Sequence, residues 1–282
     1  MIHQLDIYGT DKVEKAIKRL QTYEPPEGYY LCFSGGKDSC VIKALADMAG
    51  VKYDAHYNVT SVDPPELVRF IKEQYPEVEF EFARDKDGKR ITMWNLIPKK
   101  RMPPTRLVRY CCQELKERGG EGRFAVTGVR WAESSRRRNK RHLAEAYSRG
   151  GTQLFSTDNL EDVPMFKFCH QHHKRILNPI VDWTDAEVWE FIKEYEVPYC
   201  ELYDQGYKRL GCIGCPMSTN AKRELDDYPK YKAMYLSAFQ KMLDDRRRDG
   251  LETEWQTPEE VMRWWFKEDC QIPETIITEL KK

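Results

Sequence analysis

Five short, apolar, β-rich runs alternate with helical patterns over residues 29–180, and this alternation limits the fold more than any other feature of the chain. The runs are Tyr29–Phe33, Tyr53–Tyr57, Val78–Phe82, Phe124–Val129 and Ile176–Ile180. Helical patterns such as Asp38–Ala49 and Pro65–Gln74 lie between several of them. Strands that alternate with helices pair as βαβ units around a mainly parallel sheet. The expected architecture is therefore α/β: a parallel five- to six-stranded sheet with helices on both faces. After "NPIVDW" (178–183) the strand signal fades. Thr184 is placed as an N-cap with Glu187 at the third helical position, a capping box that opens a helix. Further helical patterns follow at Tyr228–Arg248 and Thr257–Lys267. This reading puts an α/β domain over 1–181 and a mostly helical C-terminal region over 182–282.

The 282 residues carry 46 basic and 46 acidic side chains, a net charge of zero that argues against a general polyanion binder. No apolar run reaches membrane-spanning length, and the N-terminal "MIHQLDIYGTDKVEKAIKRL" lacks a signal-peptide core. Nine cysteines, several in tight pairs, favour metal or redox chemistry over a disulfide framework. The expectation is a cytoplasmic protein without membrane contact.

The sharpest local signal is "FSGGKDS". Leu31–Phe33 ends a strand, Ser34-Gly35-Gly36-Lys37-Asp38-Ser39 makes the turn, and Cys40 onward is helical. Glycines let backbone N–H groups approach a ligand, and the helix N-terminus adds its positive dipole end. Lys37 supplies a point charge and the serine hydroxyls can donate to phosphate. The Walker A loop is excluded, because Leu31 sits where it needs a glycine and Asp38 where it needs Ser or Thr. The dinucleotide fingerprint is excluded by its missing third glycine. A tight strand-to-helix turn without a ligand is the plainer alternative.

The cysteines form two pairs: adjacent Cys111 and Cys112 in "RYCCQELK", and Cys212 and Cys215 in "GCIGCP". A Cys-x-x-Cys alone leaves zinc, thioredoxin-like redox and iron–sulfur ligation open.

The hexapeptide resembles the SGGxDS pyrophosphate loop of the adenine-nucleotide α-hydrolase-like superfamily, whose members act at the α-phosphate. Adjacent cysteines plus Cys-x-x-Cys resemble the [4Fe–4S] ligand set of adenylyl-sulfate reductases. "TGVRWAESSRRR" (127–138), "NPIVDWTDAEVWEFIKEYEVPYCELYDQGYKRLGC" (178–212) and "HYNVTSVDPPELVRFIKEQYP" (56–76) are similar to further segments of the phosphoadenosine phosphosulfate (PAPS) reductase family, in that family's order. The resemblance runs from about residue 29 to 216. It implies an oxidoreductase or ATP-dependent sulfur transferase of sulfur metabolism. Nucleotide contacts are implied at Ser34, Gly35, Gly36, Lys37, Asp38, Ser39, Asp63, Gly128, Arg130 and Arg136, with Lys37 and Arg130 catalytic. Cys111, Cys112, Cys212 and Cys215 are implied as ligands of a [4Fe–4S] cluster, with zinc as the alternative. Mg²⁺ is expected with ATP.

The sulfate-reducing members carry a catalytic cysteine in an E-C-G-[LI]-H segment, whereas this chain has "EDCQIPE" with Cys270 followed by Gln271. Cys270 is the candidate replacement, and a structural cysteine is its simpler reading. The intact loop also suits ATP with release of pyrophosphate. ATP, adenylyl sulfate and PAPS all stay open as the nucleotide. The implied partner is a thioredoxin-type reductant or a sulfur donor. A nucleic-acid acceptor, a non-catalytic nucleotide and redox sensor, and self-association also stay open.

"KFCHQHHKR" (167–175) gathers Cys169, His170, His172 and His173, read as a polar loop first and a metal site second. Trp264 and Trp265, with Val261, read as a buried helix face. Arg246–Arg248 suits a helix C-terminus, with nucleic-acid contact as the alternative. Arg137 and Arg138 read as a solvated face or as charge at the mouth of the site. Cys32 and Cys40 read as small apolar residues, and Cys200 carries no assignment.

Overall fold

The structure is a computed structural model that describes residues 2–5, 9–117, 119–148, 151–155 and 174–266, the strand at 151–155 by its backbone. Cys169, His170, His172, His173 and Cys270 lie outside the described residues. The chain divides into two compact units: one of residues 1–58, 65–81 and 119–210, the other of residues 59–64, 82–118 and 211–282.

The first unit is built on a seven-stranded sheet. In chain order the strands are β1 (Tyr29–Cys32), β2 (Tyr53–Val59), β3 (Glu79–Phe82), β4 (Phe124–Val126), β5 (Ala144–Ser148), β6 (Gly151–Phe155) and β7 (Lys174–Leu177). Their order across the sheet is β3-β2-β1-β4-β7-β5-β6. β1 pairs in parallel with β2 and β4, and β4 with β7, so Leu31 sits between Ala55 and Val126. Each of the five β-rich runs contains strand, but β4 stops at Val126 and, of the run Ile176–Ile180, only Ile176 and Leu177 are in β7. The hairpin β5–β6 adds two antiparallel strands that the sequence reading did not assign, with β5 also antiparallel to β7.

The helices of this unit follow the same local rules. α1 (Lys12–Tyr23) opens on a capping box between Asp11 and Glu14, and it buries Val13, Ala16, Leu20 and Tyr23. α2 (Lys37–Ala49) starts at Gly36 and ends on Gly50 in the left-handed region. α3 (Pro65–Gln74) buries Leu67 and Ile71. Between β3 and β4 the chain runs through the other unit, where α4 (Met93–Lys100) and α5 (Tyr110–Leu115) lie. Back in the first unit come the short α6 (Ser135–Lys140) and α7 (Asp185–Glu194), the latter capped by Thr184 and Glu187 as its sequence predicts.

The second unit adds α8 (Ala221–Asp227), α9 (Pro229–Arg248) and α10 (Pro258–Trp265). Tyr235, Ala238, Phe239, Met242 and Leu243 form one buried stripe on α9 at helical spacing. They share a core with Leu96 and Ile97 of α4 and with Val261 and Trp265 of α10. Because α4 contributes to this core, residues 82–118 group with the C-terminal helices, whereas the sequence reading drew a single cut at residue 181. Arg246 is 1% exposed and donates to the Arg101 carbonyl at 2.9 Å and to the Glu252 carbonyl. It is a packing residue, unlike Arg247 and Arg248, which pair with Asp244, Asp245 and Asp249 at the surface.

Candidate nucleotide cleft and cysteine cluster

The first unit holds a cleft of about 420 Å³ at the C-terminal ends of β1 and β4. In a parallel sheet this is where the chain leaves each strand for its crossover, and ligands collect there. Its floor is the turn from β1 into α2. Gly35 adopts φ +71°, and a Cβ built on it would lie 2.6 Å from Leu67 Cδ1 and 2.8 Å from Ile71 Cδ1. Only glycine meets both demands. Gly128 is placed by a different demand: its Cβ would come within 3.0 Å of the Asp38 backbone. The loop after β4 thus presses directly on the first turn of α2.

The loop residues are tied to one another. The Ser39 hydroxyl donates to the Gly36 carbonyl at 2.7 Å, and Ser34 Oγ lies 3.2 Å from Ser39 Oγ. The Lys37 amide donates to the Tyr203 hydroxyl at 2.9 Å. Lys37 and Arg130 are 5% and 2% exposed, so their charges need partners. Two carboxylates supply them. Asp38 takes Arg130 Nε at 2.7 Å and Lys37 Nζ at 3.2 Å. Asp185 takes Lys37 Nζ and Arg130 Nη2, each at 3.0 Å. Burial pushes the Asp185 carboxyl up, but Lys37 and Arg130 outweigh it and the net shift is downward. Arg130 Nη1 also reaches the Trp183 carbonyl at 3.3 Å, which fixes the guanidinium plane.

Of the sequence candidates, Ser34, Gly36, Lys37, Asp38, Ser39, Gly128 and Arg130 line the cleft, while Gly35 sets the turn behind it. Arg136 is exposed and outside the lining; its neighbour Arg137 lines the cleft and pairs with Glu133. Asp63 belongs to the other unit, where its carboxylate accepts from the Thr60 amide at 2.8 Å and from the Thr60 hydroxyl at 2.7 Å. Sequence reasoning missed Asp185, Tyr203, Lys208 and Arg209 as cleft residues. Asp185 follows the Thr184 cap, so the capping box that sets α7 also aims a carboxylate at Lys37. That box was visible in the sequence, and its neighbour was the available clue.

The second unit brings both cysteine pairs together. Cys111 and Cys112 lie on α5, and Cys212 and Cys215 on the loop before α8. The Cys111 thiol is pushed up by its hydrogen bond with Cys112, by burial, and by the charges of Cys112, Cys212 and Cys215. Cys112 is held low by that same bond, then, against burial, by Arg109, whose Nη2 is 3.3 Å from Cys112 Sγ. The Lys116 ammonium is pushed up by Cys212 first, against burial, and by Asp63. Cys212 Sγ meets Thr60 Oγ1 at 3.5 Å. No group of three or more His, Cys, Asp or Glu side chains among the described residues is closed around a metal position. The four thiols, with Arg109 and Lys116 near them, have the donor chemistry of a thiolate-bound centre, in which the cations oppose the negative charge of the ligands, but they are not gathered around one position. Cys40 is buried and burial pushes its thiol up to about 12, as suits a packing residue.

The sequence matches the family model of the phosphoadenosine phosphosulfate reductase domain over residues 28–218. The chain belongs to that family. An uncharacterized protein of Methanocaldococcus jannaschii is 27% identical over 239 residues, covering 84% of this chain and 51% of that protein. The chain thus spans about half the length of this relative. An adenosine 5'-phosphosulfate reductase of Staphylococcus epidermidis is 27% identical over 230 residues, with 76% of this chain and 81% of that protein covered. The corresponding protein of Oceanobacillus iheyensis is 26% identical over 226 residues, with 74% and 73% covered. The family match contains the cleft residues Ser34–Ser39, Gly128, Arg130 and Asp185 and all four paired cysteines. No helix among the described residues is long and apolar enough to cross a membrane.

Proposed function

We propose that this member of the PAPS reductase family is an enzyme of sulfur metabolism that binds an adenine nucleotide in the cleft and acts at the anhydride bond of its α-phosphate. The observation that carries this reading is the meeting of the loop, Lys37, Arg130 and the two carboxylates in one cleft. Asp38 and Asp185 hold both cations before any ligand arrives, so little reorganisation accompanies binding. The α2 N-terminus offers amide donors and its dipole to the phosphate. Lys37 and Arg130 would stabilise the negative charge that grows on the phosphate oxygens as the anhydride bond breaks. Mg²⁺, where ATP is the nucleotide, would neutralise phosphate charge, and Asp38 and Asp185 are the carboxylates of the cleft that could hold it.

Cys111, Cys112, Cys212 and Cys215 would hold a [4Fe–4S] cluster, with zinc the alternative; the cluster would supply one-electron redox capacity. The thiols' own role is to be deprotonated and oriented, and Arg109 and Lys116 favour the deprotonated state of Cys112. Reduction of adenylyl sulfate with a thiol partner and ATP-dependent sulfur transfer both use this cleft. The relatives named as reductases favour the first reading, and the intact SGGKDS string favours the second.

Anaerobic purification with iron, sulfide and zinc analysis tests the cluster: iron and sulfide together are expected, and zinc without iron would overturn it. Sulfite release from adenylyl sulfate with thioredoxin supports reduction. Pyrophosphate release from ATP supports sulfur transfer. Absence of both, together with no nucleotide binding, would sink the proposal.

A further inference from the structure

The cleft carries more positive charge than the loop and Arg130 account for. Its lining holds five cationic side chains, Lys37, Arg130, Arg137, Lys208 and Arg209, against three carboxylates, Asp38, Glu133 and Asp185. Those carboxylates are already engaged. Asp38 and Asp185 hold Lys37 and Arg130, and Glu133 holds Arg137. Lys208 and Arg209 form no ion pair among the described residues. Both are solvent-exposed at the cleft's rim, and Arg209 shares the lining with Arg137, a like charge. Burial lowers the Arg137 guanidinium, Glu133 raises it, and Arg209 lowers it again. Two guanidiniums that repel each other across a cleft are relieved by an anion between them.

The position of this pair is set by the fold. The Tyr203 amide donates to the Cys200 carbonyl, the Gly206 amide to Tyr203, and the Tyr207 amide to Leu202, each at 3.1 Å. Gly206 takes φ +87° to close this turn. Tyr203 is fastened at both ends, its hydroxyl accepting from the Lys37 amide and its ring edge-on to Trp189 at 5.2 Å. Lys208 and Arg209 therefore leave a turn that is anchored to the first residue of α2.

We infer that Lys208 and Arg209, with Arg137, form a second anion subsite in the cleft, for the group joined to the α-phosphate through the anhydride bond. That group is the distal phosphates of ATP or the sulfate of adenylyl sulfate. The inference rests on the nucleotide reading above. Two unmatched charges suit a compact anion, while a nucleic-acid backbone calls for an extended basic stripe that a chain of zero net charge does not advertise.

The test is equilibrium binding of AMP, MgATP and adenylyl sulfate to the full chain and to its K208Q/R209Q variant. The wild type is expected to bind at least one anhydride nucleotide roughly tenfold or more tightly than AMP, the worth of one or two charge-assisted contacts. The double variant is expected to lose that preference while its AMP affinity stays within about twofold, a change worth under 0.5 kcal/mol. The R209K variant should recover part of the loss. Which of MgATP and adenylyl sulfate loses affinity identifies the distal group. An unchanged preference in the double variant, or AMP binding that falls in proportion, would overturn the subsite. Wild-type protein that binds AMP as tightly as both anhydrides would overturn the subsite and leave the nucleotide reading standing. Binding of none of the three would end both. An oligonucleotide that displaces AMP from the wild type but not from the variant would replace the small anion with a polymer.

Discussion

Replacing Gly35 with alanine tests whether the phosphate turn is held by backbone conformation or by close packing. At φ +71° an L-residue costs about 1–2 kcal/mol. The added methyl would lie 2.6 Å from Leu67 Cδ1, 2.8 Å from Ile71 Cδ1 and 2.9 Å from Ile71 Cγ1. Leu67 and Ile71 are 2% and 0% exposed, so neither can swing into solvent to make room. Overpacking of this kind costs about 1–3 kcal/mol. The expected loss is therefore about 2–5 kcal/mol, read as a shift in the urea midpoint at constant slope. The two parts separate in a double-mutant cycle. Ile71→Val and Leu67→Ala open space beneath the loop, so combining either with Gly35→Ala should recover the packing part, a favourable coupling of about 1 kcal/mol or more. The conformational part should persist, and nucleotide affinity should stay low because the amides of the turn remain misaimed. A Gly35→Ala protein within about 0.5 kcal/mol of wild type would refute the reasoning. So would a cycle with no coupling.

Arg130→Gln leaves Asp38 and Asp185 with Lys37 alone, and a fall of roughly 10²–10³-fold in turnover is expected in whichever assay detects it. Retained turnover would remove Arg130 from the machinery. Glu187 accepts from Thr184 and Lys12, which outweigh burial and hold its carboxyl below the ordinary 4.5. A lowered folded value adds stability that is full above 4.5 and is lost as pH falls through that lowered value. Glu187→Gln should therefore cost about 1 kcal/mol at pH 7 and progressively less in acid, as paired denaturation curves would show. A penalty that grows on acidification would contradict the assignment. Arg246→Ala should destabilise by about 2–4 kcal/mol because two backbone carbonyls lose a buried donor, while Arg247→Ala and Arg248→Ala should each stay within about 0.5 kcal/mol. Equal effects from all three, in urea melts, would restore the run as a single surface feature.

The strands were legible because each is a short run of β-branched and aromatic residues bounded by turn formers. α9 was legible because Tyr235, Phe239, Met242 and Leu243 recur at helical spacing. Hairpin β5–β6 was not, since "AEAYS" and "GTQLF" carry too few apolar residues to announce strands. The loop announced itself through residue types that few other structures require together. Asp185, Tyr203, Lys208 and Arg209 did not, because they come from segments far along the chain and only folding brings them into the same cleft as Lys37. The arginine run at 136–138 shows the same limit: one residue of the three faces the cleft, and a helix of six residues decides which.

The interleaving of the two units bears on how the chain is made. It passes from one unit to the other five times, at 58/59, 64/65, 81/82, 118/119 and 210/211. Neither unit can therefore be obtained as one continuous fragment, and a truncation at 181 cuts through the first. During synthesis β4 emerges with only β1 to pair with, and its other edge stays open until β7 follows about fifty residues later. At ribosomal rates of roughly 5–20 residues per second that edge is bare for several seconds. The strand "FAV" is then an apolar template with one open edge, which makes soluble yield depend on how quickly residues 174–177 arrive.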